Sequence, residues 1–436
     1  MRFEIEWLEQ AEKPAASEEL QTRCRIGLSY GGKKLFRHED LLGERQVRDV
    51  IVASAYPLAL WFAANWWRLR WEPAPPTGTT RHDWNMSHMM GAAGSGYAWP
   101  NLTLISDGEN MQLTLQPTQE DKGPVRYLSR ENIWMPVQTF ESCADQLVEQ
   151  TLKRLSGKPE QPPLQALWQT LRDERASPTL AAQRQLEARL GFDPEEAPEP
   201  LMTSLTRLAA IRGDAAVQEL ACLGHEQISQ ILGDIQESLN AAKDTITLPL
   251  RNVRRAMKLI SPENFPWKEG RDAANAARKQ LGVDDGPLGN SKLAELLETR
   301  QAFLEDASTY RPLPLGIGEV TGDGRAKVCL GKTRKESRRF MVARMIAAGV
   351  YDGREHGWLP CTNTSTVQQK FQRAFAQEFL CPYQDLINWM DTESPDEDLM
   401  EAAAEHFEVS LLLINTVMVN RGHISSSELD AFQPAI

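Results

Sequence analysis

Apolar residues at every second position open the chain: Phe3, Ile5 and Trp7 alternate with charged neighbours, the period of a half-buried strand. The same period returns in 102–105 and 111–115, two runs around Asp107-Gly108 that predict strands joined by a turn. Between these regions, residues 47–71 are strongly apolar and predict a helix that stops at Pro73-Ala-Pro-Pro76. A helix over 143–155 closes this stretch. From Leu164 the period becomes helical. Leu164, Leu167 and Leu171 share one face, Leu205, Leu208 and Ala209 another, and Ile228, Ile231 and Leu232 point inward from a helix over 225–241. Past Ser261-Pro262 the pattern mixes again. It predicts short helices over 271–281 and 291–299, strand-like alternation over 312–330, helices over 337–348 and 366–379, and a helical pair over 397–419.

A chain of 436 residues exceeds one ordinary core. The expected fold class is α+β in three regions: a mixed N-terminal domain over 1–155 rich in Trp, a helical middle region over 164–260, and a C-terminal domain over 261–436. The linker Ser156-Gly-Lys-Pro-Glu-Gln-Pro-Pro163 separates the first two. Hydrophobic content of 41% and charged content of 25% exclude a disordered or collagen-like chain. The net charge of −12 argues against a broad nucleic-acid footprint. It leaves room for a local basic patch at Arg251, Arg254, Arg255 and Lys258, or at Lys332, Arg334, Arg338 and Arg339. The N-terminus shows no basic-then-apolar leader, and the longest apolar run, 50–62, is broken by Pro57 and too short for a bilayer. Cys24, Cys143, Cys222, Cys329, Cys361 and Cys381 lack paired spacing, which predicts free buried thiols in a reducing compartment. The expected location is the cytoplasm, with no membrane partner.

Three motifs invite chemistry. Ala326-Lys-Val-Cys-Leu-Gly331-Lys332-Thr333 fits a relaxed phosphate loop, but its first glycine is missing and the strand runs through its centre, so a strand and a Gly-Lys turn is the preferred reading. His225-Glu226-Gln-Ile-Ser229 approaches the zinc motif His-Glu-x-x-His, yet Ser229 stands at the second ligand position. A helix N-terminus with Glu226 near the dipole accounts for it better. Six tryptophans (Trp61, Trp66, Trp67, Trp71, Trp84 and Trp99) lie beside His82, Asp83, His88 and the glycine run 91–96. They predict a core, or a binding surface with Trp84, His82 and His88 near its rim.

A fourth constellation carries a family resemblance. Arg338-Arg339-Phe340-Met-Val-Ala343-Arg344-Met345-Ile-Ala-Ala348 predicts a helix after a strand, followed by Phe375-Ala376-Gln-Glu-Phe-Leu380-Cys381-Pro382 and Phe407-Glu-Val409-Ser410. In this order and spacing they resemble the ImmA/IrrE family of bacterial metallopeptidases, over roughly 265–424. That family's helix reads Arg-Phe-x-x-Ala-His-Glu-x-x-His. The resemblance implies a zincin-like C-terminal domain without metal. Arg344 replaces the first zinc histidine, Met345 the catalytic glutamate and Ala348 the second histidine, while Gln368, Gln369, Lys370 and Phe371 fill the stretch of the third ligand. A guanidinium offers no lone pair, methionine is no base, and alanine has no donor atom.

The expectation is therefore a pseudoenzyme: no catalytic residues, no metal, no cofactor, and another protein as partner, in a regulatory circuit such as stress response or defence against mobile DNA. Arg344 is expected to anchor a converted groove by meeting a carboxylate, with the acidic stretch 391–398 as candidate. The alternatives are an enzyme or ligand-binding protein acting through His82, Asp83 and His88, and a nucleic-acid-binding regulator, which is not favoured.

Overall fold

The computed structural model describes residues 1–9, 17–42, 45–75, 81–118, 123–156, 162–242, 245–258, 265–305, 313–322, 324–351, 353, 356–392 and 395–424. Pro76, most of the linker 156–163, the 261–262 boundary, Pro312, Asp323 and Glu393 lie outside these. The protein is α+β, 56% helical and 17% strand. All strand pairings among the described residues are antiparallel, so no βαβ crossover organises it. The chain forms two compact units, 1–202 and 203–436, whose boundary falls within the helix Glu199–Arg212. The helical middle region is thereby shared between them.

In the first unit, β1 (Arg2–Trp7) pairs with β2 (Arg23–Tyr30), which also pairs with β3 (Ile51–Ser54). Here the structure corrects the single helix expected over 47–71. The β-branched Ile51-Val52 run joins the sheet, and Ser54 caps α1 (Ala55–Ala64) by accepting from Tyr56 N–H. Asn65 then separates α1 from α2 (Trp66–Trp71). Pro57 sits in the first turn of α1, where its missing N–H costs no intrahelical bond. Helix α3 (His82–His88) follows, then the sheet of β4 (Leu102–Ser106), β5 (Asn110–Leu115) and β6 (Glu131–Pro136), with Asp107 taking Glu109 and Asn110 N–H in the expected turn. The amphipathic α4 (Val137–Leu155) starts earlier than the sequence indicates and buries Val137, Phe140, Leu147 and Val148. Leu164, Trp168 and Leu171 from α5 (Pro163–Ala176) and Ala188 from α6 (Pro178–Leu190) complete this core.

The second unit is built on a four-stranded sheet in the order β7 (Thr245–Thr247), β9 (Arg325–Cys329), β8 (Gly316–Val320), β10 (Gly357–Cys361). Strand β7 interrupts the region expected to be helical throughout. Helix α7 (Asp214–Ala221) packs against the outer strand β10, and α8 (Leu250–Met257) and α9 (Pro266–Gln280) lead toward the core. Helix α10 (Lys335–Tyr351) connects β9 to β10 and is buried along most of its length, more than its polar sequence suggests. Helix α11 (Val367–Leu380) packs on both α9 and α10. Close approach of α9 and α11 rests on Gly270, where a Cβ would sit 2.6 Å from Phe371 O. The helices Glu397–His406 and Leu411–Arg421 close the unit. No single helix among the described residues is long and apolar enough to cross a membrane. All six cysteines are buried and outside any disulfide, and burial pushes the Cys24 thiol up to about 12.

Candidate functional site

Helix α10 brings Arg344, Met345 and Ala348 into the interior of the second unit, 3%, 0% and 0% exposed. Met345 faces the sheet at Gly318, and Ala348 packs within the hydrophobic core. Arg344 points the other way, toward the loop after β10 and the first turns of α11. Its Nη2 donates to Thr362 O (2.6 Å) and Gln369 Oε1 (2.5 Å), with Gln372 Oε1 at 3.4 Å. Thr366 caps α11 by accepting from Gln369 N–H, which fixes the amide of Gln369 beside the guanidinium.

That amide uses all its bonding capacity. Gln369 Oε1 accepts from Arg344 and from Thr362 N–H, while Nε2 donates to Glu219 Oε2 (3.0 Å) and Pro360 O (3.2 Å). Glu219, on α7, also accepts from Thr366 Oγ1 at 2.6 Å. A carboxylate and a guanidinium thus communicate through one glutamine, and the network ties together α7, β10, α10 and α11. The expectation of a direct carboxylate partner from 391–398 is corrected. Among the described residues the oxygens that Arg344 bonds are neutral, and Glu219 is a carboxylate that favours its charge through space. Burial pulls the Arg344 guanidinium down, against the opposing influence of Cys361 and Glu219. Arg373 nearby donates to Thr364 O, and burial together with Arg344 pushes it down to about 10. Arg344 Nε is buried without a partner among the described residues.

Chemically, this arrangement holds and orients its side chains. Among the described residues no three His, Cys, Asp or Glu side chains converge as metal ligands. Glu219 and Gln372 escaped sequence reasoning, although Gln368, Gln369 and Gln372 in an otherwise buried helix face were a visible signal of a polar interior. The two near-motifs resolve as their plainer readings. Residues 325–329 form a strand, after which Gly331 takes a positive φ of 61°, and His225 starts the helix His225–Ala241 with Glu226 in its first turn.

The Trp-rich cluster is a core, and the expected rim is corrected. Trp84 is 5% and His88 0% exposed, and their rings stack at 4.2 Å. Indole N–H groups of Trp61, Trp84 and Trp99 donate to backbone oxygens, and that of Trp67 to Glu174, which is how buried tryptophans are satisfied. Only His82 and Asp83 of the proposed set are exposed. His88 faces acceptors with both ring nitrogens, Leu104 O at 2.9 Å and Glu72 Oε2 at 3.1 Å. Glu72 also takes two bonds from Arg68.

Burial alone would raise the Glu72 carboxyl, but hydrogen bonds from His88 and Arg68 outweigh it and hold the group below the usual carboxylate range. A carboxyl depressed in the folded state contributes stability above its unfolded pKa of about 4.3 and loses it as pH falls through the folded value. The first unit should therefore melt progressively lower as pH drops below about 5. In Glu72→Gln that acid slope should be shallower, as thermal unfolding between pH 3 and 6 will show; equal slopes would remove Glu72 from the account. Comparison of the chain with family models, curated proteins and solved structures finds no match.

Proposed function

We propose that this chain is a non-enzymatic interaction or regulatory protein whose second unit is a pseudo-metallopeptidase of the ImmA/IrrE type. The observation that carries the reading is the side chain at the first metal-ligand position. Arg344 does not swing into solvent. It is buried and bonded to Gln369, which comes from the stretch where the third ligand is expected. A cation held against the position of a metal ion excludes that ion by repulsion and by occupying its space. The order of strand, helix, strand and helix from 325 to 380, with α10 packed on α11, supports the same assignment.

Elemental analysis of purified protein is the direct test, with substoichiometric zinc and no chelator-sensitive proteolysis expected. About one zinc per chain surviving dialysis would overturn the reading, because tight binding requires a set of three or four donor groups. The triple variant Arg344→His/Met345→Glu/Ala348→His, which restores the helix motif, should still bind zinc weakly for want of the third carboxylate.

A further inference from the structure

We infer that the second unit binds a nucleoside phosphate in the cleft between the start of α8 and the backbone at Gly322 and Gly324, a site that contains none of the pseudo-peptidase positions. The cleft measures about 590 Å³, within the range of small-ligand sites, and far larger than an isolated phosphate needs. Its floor is apolar, from Leu248, Leu250 and Val320, all at most 5% exposed. Its rim is polar, with Arg251, Asn252, Gln280 and Glu298 all lining the cleft and solvent-exposed.

Arg251, on the outer face of α8, decides the ligand's chemistry. Leu250, Val253 and Ala256 face inward, which places Arg251, Arg255 and Lys258 on the outer face. Arg254 donates to Gly349 O at 2.6 Å and pins the helix to α10. The side chains of Arg251, Arg255 and Lys258 show neither hydrogen-bond nor ion-pair partners among the described residues. Of the three only Arg251 lines the cleft, and in a chain of net charge −12 a guanidinium left without a carboxylate there is a local exception. Guanidinium groups match phosphate oxygens by paired, charge-assisted bonds.

Glu298 restricts the ligand further. It lines the same cleft, so a ligand anionic throughout would be repelled there. The phosphate therefore belongs at the Arg251 end, the flat apolar body over Leu248 and Leu250, and an amino or hydroxyl group at Glu298. A nucleoside phosphate carries those three chemistries in that order. A bare polyphosphate lacks the last two.

Isothermal titration calorimetry of the full chain with ATP, GTP, CTP and UTP tests this, with inorganic triphosphate and a short single-stranded oligonucleotide as comparison probes. At least one nucleotide should bind more tightly than inorganic triphosphate. Arg251→Glu should weaken it by about tenfold or more, the equivalent of one charge-assisted bond. Arg251 is exposed, so folding should survive, and unchanged melting will confirm that. Arg207→Glu, an exposed charge reversal on the helix Glu199–Arg212, should leave binding unchanged. Glu298→Gln should alter the ranking among bases. The inference fails if no nucleotide binds at millimolar concentration, or if Arg207→Glu weakens binding as much as Arg251→Glu. It also fails if triphosphate or the oligonucleotide binds as tightly as the best nucleotide, which would reduce the patch to general attraction for polyanions.

Discussion

Arg344→Met should lower the stability of the second unit by about 3–5 kcal/mol, the range for removing one member of a buried charged network. Methionine is chosen because its length keeps most of the volume, so the loss reports the network rather than a void. Two effects compete. Removing a desolvated guanidinium relieves a cost, visible in the lowered pKa of Arg344. Against this, Thr362 O and Gln369 Oε1 lose their charged donor, and Glu219, 4% exposed, loses the cation to which Gln369 links it. The second effect should win because it strands several groups at once. The double variant Arg344→Met/Glu219→Gln, which removes both charges, should recover roughly 1–2 kcal/mol of that loss. Urea unfolding of wild type, both single variants and the double variant closes the cycle. A neutral Arg344→Met would show that the network contributes nothing net to stability.

The first unit should respond as strongly to Glu72→Ala, with a loss of about 3–5 kcal/mol. Glu72 is 1% exposed and accepts from both Arg68, itself 6% exposed, and the fully buried His88. Alanine leaves both donors facing a space that water cannot readily fill. Among the described residues Arg68 keeps only the more distant Asp83 and Asp193, at 3.6 and 3.7 Å. His82→Ala, on the exposed face of the same short helix, should stay within about 0.5 kcal/mol. Calorimetric melting of both variants gives the comparison; similar losses would deny the buried network its role.

How much of this was legible depended on whether period or partner decided the outcome. The strands at Arg2–Trp7 and Leu102–Ser106 and the helix at His225–Ala241 follow from local period, and the structure places them where alternation indicates. Residues 47–71 misled because unbroken apolarity suits a buried strand and a buried helix equally; Ser54, a cap, was the deciding residue. Trp84 and His88 looked like a rim because polar neighbours flank them, yet a helix of seven residues turns alternate faces to core and solvent. The partner of Arg344 was hidden for another reason. Glu219 lies far upstream in sequence, and only the packing of α7 on β10 brings it near.

The same strand is also approached closely by backbone from upstream. Strand β10 is the last in its sheet, and the chain at Arg212 crosses the start of it so closely that a Cβ on Gly357 would sit 2.3 Å from Arg212 O. Gly357 also holds a φ of 125°, which other residues resist. Any side chain at this position pushes the covering segment away from the strand. An uncovered edge is a template on which a second chain can add a strand, and repetition of that step yields aggregates. Gly357 thus lets the backbone at Arg212 lie close against the start of this edge strand, so that a larger residue there should leave the strand more open to pairing with a second copy.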